Sequence, residues 1–396
     1  MRIMFLVGSY WPAQDGVAHV TQYIAEGLAK KNEVCVVAPF GKSELSIEKH
    51  NGVNIERIHA RRICACQFVG EKRKALQRIK EYQPDVLIAV EIQNWGFDWT
   101  KRRLYKLPGK KVLMTHGGSC LRREGNVLKK IKEVRFHRQI LADWLAVYIE
   151  LYWKRYKERL PKYVEKYDLT TYLFDKEPLY LYMQSKGCTH ACILENAVDN
   201  VFFERKAYLV DRQKPIVFIN VSSYEEVKNQ KLILNAFYKA DIPDARLILI
   251  GSKKNEYWES LVKQNEKLAE KTHLCQKANV YVGISRTEVL SLYQQADVYV
   301  AASKIEGMSV SICEAAAAGL TIISTNVGHV AEIPGACLYE NENELVEIMR
   351  KVNDEPEIRQ RCGEKAYDYA SENDRYKVQG KVDYFEAELL KLVDVK

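Results

Sequence analysis

The chain has 396 residues, 47% hydrophobic and 28% charged. That is the balance of a soluble globular protein, it excludes disordered and fibrous classes, and the length predicts two domains or one large one. The formal charge of +8 hides a division: residues 1–196 carry 34 basic and 21 acidic side chains, net +13, and residues 197–396 carry 26 and 31, net −5, so an anion is expected to meet the first half.

Taken in chain order, Met1-Arg2 precedes only a short apolar run, Ile3–Val7, so no secretory signal is expected and the run reads as a buried strand. A loop through Gly16 leads to a helix whose inner face is Val17, Val20, Ile24 and Leu28, spaced by three and four. Strands follow at Glu33–Pro39, Asp85–Val90 and Lys111–Thr115, with helical stretches between them. The most apolar of the longer stretches, Leu141–Trp153, is interrupted by Asp143 and Glu150 and falls short of the roughly 20 residues of a membrane span. The second half repeats the pattern: strands at Ile216–Val221, Arg246–Ile250, Asn279–Val282, Asp297–Val300 and Leu320–Ser324, and a helix around Lys231–Lys239. Such alternation predicts parallel sheets covered by helices, in two Rossmann-like α/β domains joined near Leu194–Asp199. Ten scattered cysteines, with no C-x-x-C pair and no companion histidines, argue against zinc and disulfides and for a reducing cytoplasm.

The most informative segment is Ser303–Ile333, SKIEGMSVSICEAAAAGLTIISTNVGHVAEI. Gly307-Met308-Ser309 should lead into a helix, Val310 to Ala318, closed by Gly319. The free amides at that helix's start favour an anion, for which a nucleotide diphosphate is the obvious candidate. Glu306 and Glu314, separated by seven residues, flank this turn. The segment resembles the C-terminal signature of retaining GT-B glycosyltransferases of glycosyltransferase family 4. The resemblance implies two Rossmann-like domains facing each other across a cleft: 1–195 for the acceptor, 196–375 for the nucleotide sugar, and a C-terminal helix, 376–396, returning to the first domain. It also implies that Glu314 takes the ribose hydroxyls and Glu306 the donor sugar's hydroxyls, with Gly307, Met308, Ser309 and Val310 lining the donor.

Other segments extend the resemblance over nearly the whole chain. PAQDGV, residues 12–17, looks like the family's glycine-rich loop, with Asp15 where a first glycine is common and Gly16 letting the backbone approach a ligand. Thr115-His116-Gly117-Gly118 resembles the family's strand-end histidine, so His116 is expected to meet a sugar hydroxyl or the reacting region. ENAVD, residues 195–199, resembles the interdomain NGVD motif, with Ala197 for glycine. VKNQ, residues 227–230, looks like the segment whose lysine, here Lys228, neutralises the donor diphosphate. The family's arginine before that lysine is replaced by Ser222-Ser223, with Ser223 and Gly251 kept as donor contacts and Lys253 or Lys254 as substitutes for the lost charge.

The implied chemistry is same-face transfer from a nucleotide sugar, UDP-sugar favoured, with His116, Lys228 and Glu306 as the catalytic set. The acceptor would be a glycan, lipid-linked or protein-bound saccharide in surface-glycan synthesis. No Asp-x-Asp triplet occurs, so neither a metal nor another cofactor is expected. Arg122, Arg123, Lys129, Lys130, Lys132 and Arg135, within a run of 13 basic residues against two acids over 101–138, are assigned to an anionic acceptor or membrane surface at the inner face of the cell membrane. Leu145, Tyr148, Ile149, Tyr152 and Tyr156 recur at helical spacing, either as a membrane-facing stripe or as a core-facing one. Nucleic acid ranks low as a partner because no standard binding module is present. The alternative to an enzyme is a non-catalytic GT-B homologue that stabilises an active one.

Overall fold

The computed structural model describes residues 1–13, 15–40, 46–64, 67–118, 121, 131, 140–204, 214–271 and 278–394. The chain divides into two units: Met1–Glu195 with Val382–Lys396, and Asn196–Lys381.

In the first unit the strands are β1 (Arg2–Leu6), β2 (Glu33–Pro39), β3 (Ile47–His50), β4 (Val53–Ile58), β5 (Ala60–Cys64), β6 (Gln67–Gly70), β7 (Val86–Val90), β8 (Lys110–Met114), β9 (Leu169–Tyr172) and β10 (Ala191–Ile193). Eight of them form one sheet in the order β10-β9-β8-β7-β1-β2-β4-β3, and β5 and β6 form a separate antiparallel hairpin. The sheet is parallel except for β3 on β4. β1 and β7 are apolar runs whose residues from Ile3 to Leu6 and Val86 to Val90 are all buried, as expected where helices cover both faces of a parallel sheet.

The helix Gly16–Leu28 starts on Asp15, whose carboxylate accepts from the Ala18 amide at 2.9 Å, and it buries Val20, Ile24 and Leu28. The long helix Ile140–Val164 divides its aromatic stripe: Trp153 and Tyr156 pack with Phe97, Leu160 and Tyr167, whereas Trp144, Leu145 and Tyr148 stay about half exposed. The final helix, Val378–Asp394, crosses the boundary at Lys381/Val382. Its later part buries Val382, Phe385 and Leu389, and Glu386 accepts from Asn32 Nδ2 at 2.7 Å and pairs with Lys31 at 3.1 Å. A Cβ at Gly27 would stand 2.3 Å from the Val382 side chain, so Val382 packs directly on the helix backbone there.

The second unit holds β11 (Val217–Val221), β12 (Arg246–Gly251), β13 (Asn279–Val282), β14 (Val298–Ala301), β15 (Thr321–Thr325) and β16 (Cys337–Tyr339). They are all parallel, in the order β13-β12-β11-β14-β15-β16. Counted within the unit this is the doubly wound order 3-2-1-4-5-6, in which ligands bind beyond the strand ends where the order reverses. The reversal falls between β11 and β14. In the first unit it falls between β1 and β7. No helix among the described residues is long and apolar enough to cross a membrane.

Candidate active site

In the second unit the two loops at the reversal point carry the expected charged residues and tie them together. Lys228, in the loop after β11, pairs through Nζ with Glu306 Oε1 at 2.5 Å, in the loop after β14. Ser303 Oγ donates to the same oxygen at 2.7 Å, and the Lys304 amide donates to the Val227 carbonyl at 2.8 Å. The ammonium and the carboxylate are both mostly buried, so each holds the other in place. Asn229 takes a left-handed conformation before the helix Gln230–Ala240. Gln230 donates to Ser222 Oγ and to the Ser223 carbonyl, at 2.8 and 2.9 Å, which fixes the loop that ends in Lys228.

The helix Val310–Ala317 begins at Ser309, whose side chain makes no capping bond and instead meets Ser311 Oγ at 3.1 Å. Its first amides are therefore left uncapped by Ser309. Gly319 closes it with φ 64°. Glu314, buried in this helix, pairs with Arg286 at the start of the helix Arg286–Gln295, and Arg286 also stacks 4.9 Å over the Phe202 ring. Burial and the Glu314 charge push the nearby Tyr293 hydroxyl's pKa upward.

Behind this loop, Asn196 donates to the Met308 carbonyl at 2.8 Å, and its amide faces the Met308 sulfur at 3.4 Å. The His329 amide donates to the Gly307 carbonyl at 3.2 Å. Gly328 has φ 67°, and a Cβ there would lie 1.9 Å from the Gly307 carbonyl oxygen, so only glycine lets these loops meet. The sequence motif around Asn196 is thus a prop for the turn that carries Glu306.

Gly307, Met308, Ser309 and Val310 all lie on that turn. Gly251 ends β12 and has a packing reason of its own: the Tyr224 ring occupies the space of its missing side chain, 2.3 Å from where a Cβ would be. Lys254 is drawn over the Trp258 ring at 5.1 Å, which leaves Lys253, exposed, as the freer of the two substitutes for the arginine.

In the first unit, His116 and Glu91 stand at the ends of neighbouring strands, β8 and β7, both with positive φ, 47° and 67°. Left-handed backbone at bulky residues is strained and clusters at functional sites. His116 Nε2 is buried without a hydrogen-bond partner among the described residues. Burial holds the imidazole neutral, with its pKa pulled down to about 4 against the opposing pull of Asp15. Burial and then Asp15 raise Glu91 to about 7. Sequence reasoning singled out His116 and missed Glu91; no motif marks it, and only the sheet order brings it to the strand ends near Asp15. Asp15 itself is the cap of the helix it precedes, which explains a carboxylate where glycine was expected, and Ser9 Oγ donates to it at 2.7 Å. Gly16 is the exposed first residue of that helix. Arg122, Arg123, Lys129, Lys130, Lys132 and Arg135 lie outside the described residues.

Residues 202–369 match the family model described as glycosyl transferases group 1. No curated protein matches the chain. Among solved structures, the chain is similar to a sucrose-phosphate synthase from Thermosynechococcus elongatus, with 14% identity, TM-score 0.72, and 100% of both chains covered. It is also similar to Anabaena HepE in complex with UDP and glucose, with 14% identity, TM-score 0.71, and 99% of this chain and 100% of that one covered. A third is the structure described as trehalose-6-phosphate from Escherichia coli bound with UDP-2-fluoro glucose, at 10% identity and TM-score 0.67 over the whole of both chains. The chain has the GT-B fold.

Proposed function

We propose that the protein is a retaining, metal-independent glycosyltransferase that takes its sugar from a nucleotide-sugar donor, a UDP-sugar by preference. The observation that carries this is the Lys228–Glu306 pair, held at the reversal point of the second sheet beside the uncapped start of the helix Val310–Ala317. It lies inside the segment that matches the glycosyl transferases group 1 model, and the Anabaena and Escherichia coli structures hold UDP or a UDP-sugar.

In this reading the diphosphate sits over the amides of Val310 and Ser311, and Lys228 turns from Glu306 towards the oxygen that gains charge as the glycosidic bond breaks. Glu306 then accepts from the sugar hydroxyls, and Glu314, steadied by Arg286, accepts from the ribose. The acceptor hydroxyl attacks on the face from which the diphosphate leaves, its proton passing to the leaving phosphate oxygen. His116, neutral at physiological pH, bonds a hydroxyl in the reacting region. The acceptor is a glycan or lipid-linked saccharide of surface-glycan synthesis, met by the basic first half at an anionic membrane face in the cytoplasm. The lysine and the helix amides supply the charge that a divalent metal supplies elsewhere, and the sequence has no Asp-x-Asp triplet to hold one.

A thermal-shift series with UDP- and GDP-sugars, followed by donor hydrolysis with and without EDTA, tests the proposal. A UDP-sugar should raise the melting temperature in a saturable way, Lys228→Ala should abolish the shift, and EDTA should leave turnover unchanged. The second reading, a non-catalytic partner, is favoured by Ser222-Ser223 in place of the arginine and by Glu306 already occupying Lys228. It prevails if no nucleotide sugar is hydrolysed and Lys228→Ala changes nothing.

A further inference from the structure

The first unit contains a chemically distinctive cavity of about 380 Å³, within the range of ordinary small-molecule sites. It opens between the start of the helix Lys72–Tyr82, the end of the short helix Trp95–Thr100 and the stretch 148–163 of the helix Ile140–Val164. Lys72, Asp98, Lys101, Arg102, Arg155 and Arg159 line it, five cations against one carboxylate. Asp98 is already engaged by Lys101 at 2.7 Å, and Lys101 is itself buried, its ammonium 5.3 Å from the Tyr156 ring centre and 5.6 Å from that of Tyr163. Lys72, Arg102, Arg155 and Arg159 form no ion pair among the described residues. Burial, with Arg103, Lys101 and Arg102 adding to it, lowers the Lys72 ammonium's pKa against the pull of Asp98. A bound anion would relieve that repulsion.

One side of the pocket is apolar as well as cationic. Tyr148 lines it and is 53% exposed, and Trp144 and Leu145, one turn earlier on the same helix face, are 52% and 56% exposed. Charged residues inside a pocket with an apolar ridge at its mouth match a ligand that has an anionic head and an apolar body.

We propose that this pocket is a binding site for the phosphate group of an anionic lipid, whose chains lie along Trp144, Leu145 and Tyr148. The guanidinium forks of Arg155 and Arg159, one turn apart, hold the phosphate oxygens, with Lys72 and Arg102 closing the other side. The inference deepens the acceptor and membrane side of the proposed function and rests on that reading for its purpose. Binding is measured with no sugar donor present, so its failure and the failure of sugar transfer are separate results.

The full-length protein is sedimented with phosphatidylcholine vesicles with and without phosphatidate, and pyrophosphate is added as competitor. Three variants are compared: Arg155→Glu/Arg159→Glu in the pocket, Lys154→Glu/Lys162→Glu on the same helix away from it, and Trp144→Ser/Leu145→Ser on the ridge. Saturable, phosphatidate-dependent binding that pyrophosphate displaces is expected. The pocket variant should lose about tenfold or more in affinity, the equally charged control far less. The ridge variant should lose vesicle binding and keep pyrophosphate binding. A native circular dichroism spectrum and melting transition for each variant separate lost binding from lost folding. Equal losses in the two charge variants would assign the effect to diffuse surface charge and overturn the proposal. Pyrophosphate binding without vesicle binding, or no binding at all, would overturn it too.

Discussion

Lys228 and Glu306 hold one another in the structure, yet the proposed chemistry needs the lysine on a phosphate. Replacing Glu306 by Gln removes the competing carboxylate while keeping the shape. UDP should then bind severalfold more tightly while sugar transfer falls about 100-fold, since the donor sugar loses a charged contact. Isothermal titration with UDP beside initial-rate assays reads both, and weaker UDP binding in the variant would remove the idea of competition. His116 and Glu91 make a pH prediction of opposite signs. A histidine whose folded pKa is lowered from 6.5 to about 4 costs stability as pH falls through that window, because the unfolded chain takes the proton and the folded one does not. A carboxyl raised from 4.5 to about 7 costs stability as pH rises through its window, because the unfolded chain ionises first. His116→Asn should therefore gain stability relative to the parent as pH falls from 6.5 towards 4, on the order of 1 kcal/mol per unit. Melting curves of the two proteins that stay parallel across this range would show that the imidazole is not held neutral.

At the scale of elements, the reversal point of each sheet positions the chemistry, and the loops there are held by backbone approaches that only particular residues allow. Gly328 is the sharpest case. Gly328→Ala adds a left-handed alanine, costing roughly 1–2 kcal/mol, and places its methyl against the Gly307 carbonyl. The turn bearing Glu306 must shift, so a lowered melting temperature should be joined by a diminished UDP-induced shift. A stable variant with parental UDP binding would mean that the turn tolerates displacement. Strands β1, β2, β7, β11, β12 and β14 were legible because a strand buried on both faces is a continuous apolar run. β3 and β6, four-residue strands with exposed positions, were not, and neither were β9 and β10, with four and three residues. The stripe of the helix Ile140–Val164 was open between core and surface because one amphipathic period fits both; packing assigns Trp153 and Tyr156 to the core and leaves Trp144 and Tyr148 outside.

At the scale of the whole molecule, the last helix makes each unit depend on a distant part of the chain. Phe385, fully buried, belongs to the first unit although it lies about 190 residues beyond Glu195. Phe385→Ala should cost about 3–5 kcal/mol in the unfolding of that unit. Scanning calorimetry with and without UDP should find the first unit's transition lowered and the UDP-dependent shift intact, and a lost UDP shift would mean that the units do not respond separately. The sequence by itself determined the alternating α/β character and the Ser303–Ile333 segment with its two glutamates, because buried strands, helix ends and turns are written in local patterns. Tertiary structure alone decided that Lys228 meets Glu306 and Arg286 meets Glu314, and that Glu91 stands at a strand end beside that of His116. It also decided that five cations share one pocket. Those pairs are 78, 28, 25 and as many as 87 residues apart along the chain, and which distant residues become neighbours depends on strand order, which no local period encodes.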